Sequence, residues 1–381
     1  MLNKKLSSCY AILFSHNLIR NFAFFLFPLF FISIGLGGFE TGLLMGILTI
    51  SGLLFSFYIG MKSDQIKQTH LLAIGTILFF IFCAGLIFFQ NIWILILLFI
   101  FGGTGTIILN RVGETLAFKF VNYKKKGWDM AVLQGVKTLS FISGVVIGAI
   151  IVNYFGFSIL FAISAILTLL SLVLVFGIKE TKLFHFPTYR YLNDFKNKKV
   201  LLFCLIIFIF CLHFGAEQTS YSPFLKYNLG LGMLPLSLFI AGAVVFLFLT
   251  GFACGHFIDK GTSAMKIMAG GMLLSGIGGT LFAMTDNVLL SFIFRALHEA
   301  GDGAFLLMIF VGIVSLFGKK RIGGTSGLVT VVMILATFFG SIIFGPIGFE
   351  YGFQFPHIIS GIFSIIAFVL MLIFAKKEIE K

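Results

Sequence analysis

Charge is what this sequence lacks. Of its 381 residues only 11% are charged and 14 are acidic, while 59% are apolar. Its mean hydropathy is +1.10. A soluble domain carries roughly a quarter charged residues, so a water-exposed fold is excluded and the solvent is lipid. The apolar/polar alternation of a transmembrane barrel, in segments of about 10 residues, is also missing. The five cysteines, Cys9, Cys83, Cys204, Cys211 and Cys254, are scattered through apolar segments without a C-x-x-C. That leaves no disulfide framework and no metal site to expect. No H-E-x-x-H, no G-x-S-x-G and no nucleotide-binding loop occurs, which argues against a membrane enzyme, an ATP-driven pump and any resident cofactor. The basic residues are dispersed over separate short segments, which argues against nucleic acid as a partner.

What is present is a series of long apolar runs, such as 71–89 and 157–177. A helix needs roughly 20 residues to cross a bilayer, and lipid requires each backbone group to be paired within the segment. The pattern predicts twelve transmembrane helices at 10–34, 41–61, 71–89, 92–119, 128–153, 157–178, 200–226, 235–257, 264–284, 288–316, 322–347 and 353–375. Lys4 and Lys5 precede an apolar segment that is too long for a signal peptide, contains Arg20 and lacks a small-residue cleavage pattern, so it reads as the first span. The 52 phenylalanines read as lipid-facing bulk.

Net charge is +13, and its placement sets an orientation. Of 27 Lys and Arg, 21 fall in the termini, in the even-numbered connections or, for Lys266, at the span end adjoining one, and Lys226 alone lies at the opposite side. Both termini and the basic stretch 179–199 are therefore expected on the cytoplasmic side. That stretch divides the chain into an N-terminal six-helix bundle, 1–178, and a C-terminal one, 200–381.

The halves resemble each other. Pro28 recurs as Pro223, Gly35-Leu36-Gly37 as Gly230-Leu231-Gly232, and Gly60-x-x-x-Asp64 as Gly255-x-x-x-Asp259, all at an offset of 195. One residue further, Asn91 recurs as Asn287, Lys124 as Lys320 and Gly144 as Gly340. Ordered coincidences at one spacing indicate a duplicated six-helix unit. Parallel six-helix repeats related by an axis along the membrane normal describe one transporter architecture.

The whole chain resembles the major facilitator superfamily. The connection after helix 2, Gly60 to Lys67, is similar to that family's G-x-x-x-D-R/K loop, with Gln65 where a basic residue is usual. Its counterpart after helix 8 is Gly255-His256-Phe257-Ile258-Asp259-Lys260. The resemblance implies a gating role for Gly60, Asp64, Gly255, Asp259 and Lys260. Asp64 and Asp259 would sit against helix N-termini of the opposite half, where the dipole favours a carboxylate. An ordinary turn with a solvated aspartate is the rival reading. Gly135, Gly144 and Gly148 in helix 5 resemble a glycine pattern of proton-driven antiporters, and read equally as close helix packing. The Arg295-x-Leu297 to Gly301-x-Gly303 run resembles a family motif better known on helix 4, where Phe99 holds the equivalent place.

Ionisable groups at membrane depth cost several kcal/mol unless they face a cavity or a partner. They occur as His16 and Arg20 in helix 1, Arg111 and Glu114 in helix 4, Lys137 in helix 5, His213 and Glu217 in helix 7, and Arg295, His298, Glu299 and Asp302 in helix 10. The cores of helices 3, 6, 9 and 12 have none, with His357 near a span end. In the family, helices 1, 4, 7 and 10 line the central cavity. The helix-10 residues are spaced i, i+3, i+4, i+7, on one face. Tyr221 continues the His213–Glu217 stripe. Glu217 and Arg295 lie at similar depth, so an ion pair is expected, either within a transport cycle or as a fixed bridge. Glu217, Glu299 and Asp302 are the expected coupling carboxylates, with His213 or His298 as proton relay. Glu114 can pair with Arg111 or Lys137. Arg20, beside Asn21, either binds a carboxylate or phosphate of the substrate or pairs with an acid of the second half.

The sequence thus predicts an all-α polytopic membrane protein of the major facilitator fold, two six-helix bundles with pseudo-twofold symmetry. The expected activity is secondary transport of a small anionic or zwitterionic solute, coupled to protons, with the substrate site at mid-membrane. Arg20, Asn21, Arg111, Lys137, Tyr221 and Arg295 are its candidate substrate-binding residues. Export of a drug-like or lipid-like compound is the alternative; a non-transporting receptor is a further class. A monomer in a prokaryotic cytoplasmic membrane is expected, with substrate, protons and the bilayer as partners.

Overall fold

A computed structural model describes residues 4–65, 67–120, 126–178, 198–260, 262–316 and 322–379. Among these residues the ordered elements are helices. The first, α1, runs Lys4–Ala23 and continues through a 3-10 turn, Phe24–Leu26, into Phe27–Ser33. Then come α2 (Gly38–Gln65), α3 (Gln68–Phe88) and α4 (Ile92–Phe120). One unbroken run, Lys126–Phe176, contains α5 and α6, divided at Gly156, whose φ of 80° and ψ of 176° are not helical. The seventh pass, α7, runs Lys198–Cys211, His213–Pro223 and a π turn, Phe224–Asn228. It is followed by α8 (Met233–Asp259), α9 (Ala264–Leu281), α10 (Val288–Leu316), α11 (Ile322–Tyr351) and α12 (Gln354–Ile379). Among the described residues, eleven continuous runs thus give twelve passes once the break at Gly156 is counted. The helix ends differ from the predicted spans by a few residues. Hydropathy locates the apolar stretch, whereas the helix continues into the polar interface. The basic stretch 179–199 lies mostly outside the described residues, as do the side chains of Asp64 and Asp259.

The duplication is written in the turns. Among the described residues, the glycines with left-handed φ are Gly35 (81°), Gly156 (80°), Gly230 (67°) and Gly352 (116°). They form two pairs, Gly35 with Gly230 and Gly156 with Gly352, at the same offsets of 195 and 196. A side chain is strained at such φ, so glycine recurs where the chain reverses between helices.

The chain divides into two compact units. One comprises Met1–Leu36, Ile47–Phe186 and Gly232–Ala241; the other comprises Gly37–Gly46, Pro187–Leu231 and Gly242–Lys381. Inside each, small residues let helices cross closely, as expected where lipid supplies no hydrophobic drive between helices. In the first unit a Cβ on Gly105 of α4 would lie 2.7 Å from the carbonyl oxygen of Gly75 on α3. In the second a Cβ on Gly271 of α9 would lie 2.7 Å from the carbonyl oxygen of Gly301 on α10. These are the same two positions, 196 residues on. Gly144 of α5 packs likewise on the carbonyl of Leu18 in α1, and Gly340 of α11 on that of Leu212 in α7.

Exposed apolar faces lie on α3 (Ile74, Ile77), α6 (Ile166, Leu170) and α12 (Ile366, Val369), as expected for lipid contact. The phenylalanines are more than lipid-facing bulk, however. Phe27, Phe31, Phe82 and Phe99 are buried, and the Phe99 ring lies 5.0 Å from Phe82, 5.1 Å from Phe27 and 5.5 Å from Phe31. Where both lipid and core are apolar, tightly packed rings hold a bundle by dispersion and quadrupole geometry.

Candidate functional site

The second unit contains a closed ionic network, carried by α7 and α10. One helical stripe of α7 presents His213, Glu217 and Tyr221; one face of α10 presents Arg295, His298, Glu299 and Asp302. All seven are at least nine-tenths buried. Arg295 Nη2 donates to Glu217 Oε1 at 2.5 Å and to Glu299 Oε1 at 2.6 Å. His298 Nε2 meets the same Glu217 oxygen at 2.8 Å and Asp302 Oδ2 at 3.6 Å. His213 Nε2 meets Asp302 Oδ2 at 3.0 Å. The expected Glu217–Arg295 pair is present, and the network extends across both helices beyond it.

Backbone and aromatic groups fix its geometry. The Nδ1–H of His213 donates to the carbonyl of Phe210 at 2.6 Å, and that of His298 to the carbonyl of Ser275 on α9 at 2.8 Å. The latter approach depends on a side-chain-free strip of α9. A Cβ on Gly278 would come within 2.5 Å of the His298 backbone nitrogen, and one on Gly279 within 2.9 Å of its Nδ1. The Arg295 guanidinium stacks on Tyr221, with Cζ 4.0 Å from the ring centroid, and lies 5.3 Å from that of Phe282. Such cation–π contacts gain strength when desolvated. His357, at the start of α12, is buried with its ring 4.8 Å from Phe282 and 6.1 Å from Tyr221.

Ser275, Phe282 and His357 lie outside the site expected from sequence. His357 reads there as a span-end residue; it is buried because α12 begins against α7. The duplication holds a signal for it. At the offset of 196, His357 corresponds to Phe161, which is buried in the first unit.

Donor atoms of His213, Glu217, His298 and Asp302 lie within 4.8 Å of one another, a set of the type that holds a divalent ion. Arg295 already holds the Glu217 oxygen of that set. A fixed guanidinium opposes a second cation there, so the arrangement suits protons better than a metal.

The first unit is built differently. Glu114 accepts from Lys137 Nζ at 2.7 Å and from Arg111 Nη1 at 3.4 Å, pairing with both rather than one. The Arg111 side chain is 41% exposed and that of Lys137 32%. Arg20 Nη1 reaches Asn21 Oδ1 at 3.4 Å and its Cζ lies 4.0 Å over Phe24. No carboxylate among the described residues is within ion-pair distance of it. Asn21 is buried and donates to the carbonyl of Asn17, which bonds Asn110, so Asn21 braces Arg20. Arg20 also lines a small cavity with Phe24, Phe27, Phe79, Phe82 and Ser164. Of the loop residues, Gly255 lies on α8 and Lys260 is exposed just beyond it. Gly60, Asp64 and Asp259 fall outside the described residues as far as side chains are concerned.

The profile of the Major Facilitator Superfamily matches residues 9–265 and 218–381. The chain belongs to the major facilitator superfamily. An uncharacterized transporter of Buchnera aphidicola is 32% identical over 187 residues, which cover 46% of each chain; the match thus spans just under half of that relative. Two solved transporters share the fold. A bacterial homologue of the human lysosomal transporter Spinster, in an inward-facing and occupied conformation, superposes with a TM-score of 0.80 at 12% identity, covering 97% of this chain and 96% of that one. The nucleoside transporter NupG gives 0.79 at 12%, covering 98% of this chain and 100% of that one. The chain is accordingly a polytopic membrane protein of this superfamily.

Proposed function

We propose that this transporter moves a small anionic or zwitterionic organic solute by alternating access, and that protons drive it. The observation that carries the substrate class is Arg20. It sits among apolar side chains in the first unit, braced by Asn21, without a carboxylate in reach among the described residues. A guanidinium in that condition is an unsatisfied binding element for a carboxylate or phosphate. Arg111 and Lys137 share one Glu114 and leave an excess positive charge on the same unit. The proton-carrying groups in this reading are Glu217, Glu299, Asp302, His213 and His298, with Arg295 and Tyr221 as their frame. Membrane placement follows from the basic connections, which put both termini on the cytoplasmic side.

The phenylalanine lining beside Arg20 favours a second reading, an amphiphilic anion such as a lipid-like compound. A thermal-stabilisation screen of purified protein against carboxylates, phosphates, zwitterions and lysolipids separates the two. The anion reading predicts hits that stabilise wild type and are lost in Arg20→Ala. Equal stabilisation of Arg20→Ala by every hit would overturn it. Substrate-dependent acidification in proteoliposomes tests the proton coupling.

A further inference from the structure

The two histidines of the α7–α10 network are held in one tautomer by the backbone. A carbonyl oxygen only accepts, so the Nδ1 atoms facing Phe210 O at 2.6 Å and Ser275 O at 2.8 Å both carry hydrogen. Each ring is left with Nε2 to face a carboxylate, Asp302 Oδ2 at 3.0 Å for His213 and Glu217 Oε1 at 2.8 Å for His298. A bare imidazole nitrogen and an ionised carboxylate oxygen repel at such distances, so each contact requires a proton. The charge count gives the same number. Glu217, Glu299 and Asp302 bring three negative charges and Arg295 one positive. Two protons make the network neutral; without them it carries a charge of −2 in a dry interior, which is costly.

We propose that this network is a two-proton site, with one proton in the His298–Glu217 pair and one in the His213–Asp302 pair, each as an imidazolium facing a carboxylate. Loading changes the charge from −2 to 0, with each proton added to an Nε2 lone pair, and unloading reverses it. Each transport cycle then carries two protons. The inference rests on the proton-coupled reading above and adds its stoichiometry.

The two pairs adjoin, since His298 Nε2 also lies 3.6 Å from Asp302 Oδ2, and the shorter contacts of 2.8 Å and 3.0 Å assign one proton to each. From α10 itself come Arg295 and Glu299, neutralising each other in part. Tyr221 of α7 is stacked on Arg295. Cys211 of α7 is buried on the Asp302 side. From α9 comes Ser275, whose carbonyl and hydroxyl both face His298 Nδ1. From α12 comes His357, near Tyr221 and Phe282. The Asp302 oxygen that His213 does not use, Oδ1, is buried with no hydrogen bond among the described residues. It gives the second pair an acceptor through which its proton can leave without disturbing Glu217.

The test counts protons. Purified protein with a non-histidine tag is brought from alkaline to neutral pH in weakly buffered detergent containing a pH indicator. Wild type should take up two protons more than the Glu217→Gln/Asp302→Asn double variant, and each single variant one more. An uptake in wild type equal to that of the double variant overturns the proposal. So does a single variant that loses both protons, because that marks one shared site. If a variant does not survive purification, nitrogen-15 spectra of histidine-labelled wild type decide. Two rings protonated on both nitrogens at neutral pH support the proposal, and a bare Nε2 on His213 or His298 overturns it. The two readings fail separately. Two protons counted without substrate-driven acidification would remove proton coupling and leave the site. Coupled flux with one proton counted would remove the stoichiometry and leave the transporter.

Discussion

Arg295 holds Glu217 through a single guanidinium nitrogen at 2.5 Å, while its Nε and Nη1 find no hydrogen-bond acceptor among the described residues. The residue is stacked on Tyr221 and closed off from solvent. It therefore acts mainly as a fixed charge that lets two glutamates stay buried. Its replacement by methionine leaves those carboxylates uncompensated and should cost about 3–5 kcal/mol. Adding Glu217→Gln to Arg295→Met should recover about 1–3 kcal/mol of that loss. Unfolding in mixed micelles measures both. Strict additivity of the two substitutions would contradict the pairing.

Gly279 is the position where α9 makes room for His298. Gly279→Ala places a methyl group 2.9 Å from Nδ1 and should push the ring off the Ser275 carbonyl, at about 1–3 kcal/mol. Gly270→Ala, on the same helix with nothing within 4 Å, is the control and should be neutral. Equal effects at the two sites would show that the His298 contact does not matter.

Glu114 and Glu217 each bind more than one cationic or imidazole group, but the burial of those partners differs. Arg111 and Lys137 are partly exposed, so Glu114→Gln should cost about 1 kcal/mol or less. Glu217→Gln breaks an enclosed network and should cost several times more. The same unfolding assay ranks them, and the reverse order would refute the assignment of fixed charge to the second unit.

Phe99→Ala removes a fully buried ring from the stack with Phe27, Phe31 and Phe82. A cavity of that size should cost about 3–5 kcal/mol. Phe88→Ala, on an exposed face, should be close to neutral.

The α10 face is legible in the sequence because four ionisable residues at i, i+3, i+4 and i+7 in an apolar run must share a cavity or a set of partners. The Glu217–Arg295 pair follows from depth along two spans. Partners chosen by helix crossing are not legible. Ser275 enters through its carbonyl, which sequence does not display, and His357 arrives from a helix whose remaining core has no ionisable group. The repeat offset relates further positions. It carries Arg295 back to Phe99, His298 back to Gly102 and Gly278 back to Phe82. A Cβ on Gly102 would strike the Phe82 ring at 2.6 Å, so large and small have traded places across one contact. In the first unit the glycine of α4 faces an apolar ring from α3; in the second the glycine of α9 faces the His298 backbone of α10. Glycine spacing therefore announces the crossing and leaves its chemistry undetermined. The loop aspartates, read from motif alone, have side chains outside the described residues.

The left-handed glycines have a practical consequence. The reversals at Gly35, Gly156, Gly230 and Gly352 take only residues 34–37, 156, 229–232 and 352–353 between helices. Such turns offer a protease no extended segment to bind and an antibody no loop to grip. An inserted epitope or reporter there would have to pull helix ends apart to be accommodated. Labels for topology mapping or single-molecule work on this transporter belong at the longer basic connections instead.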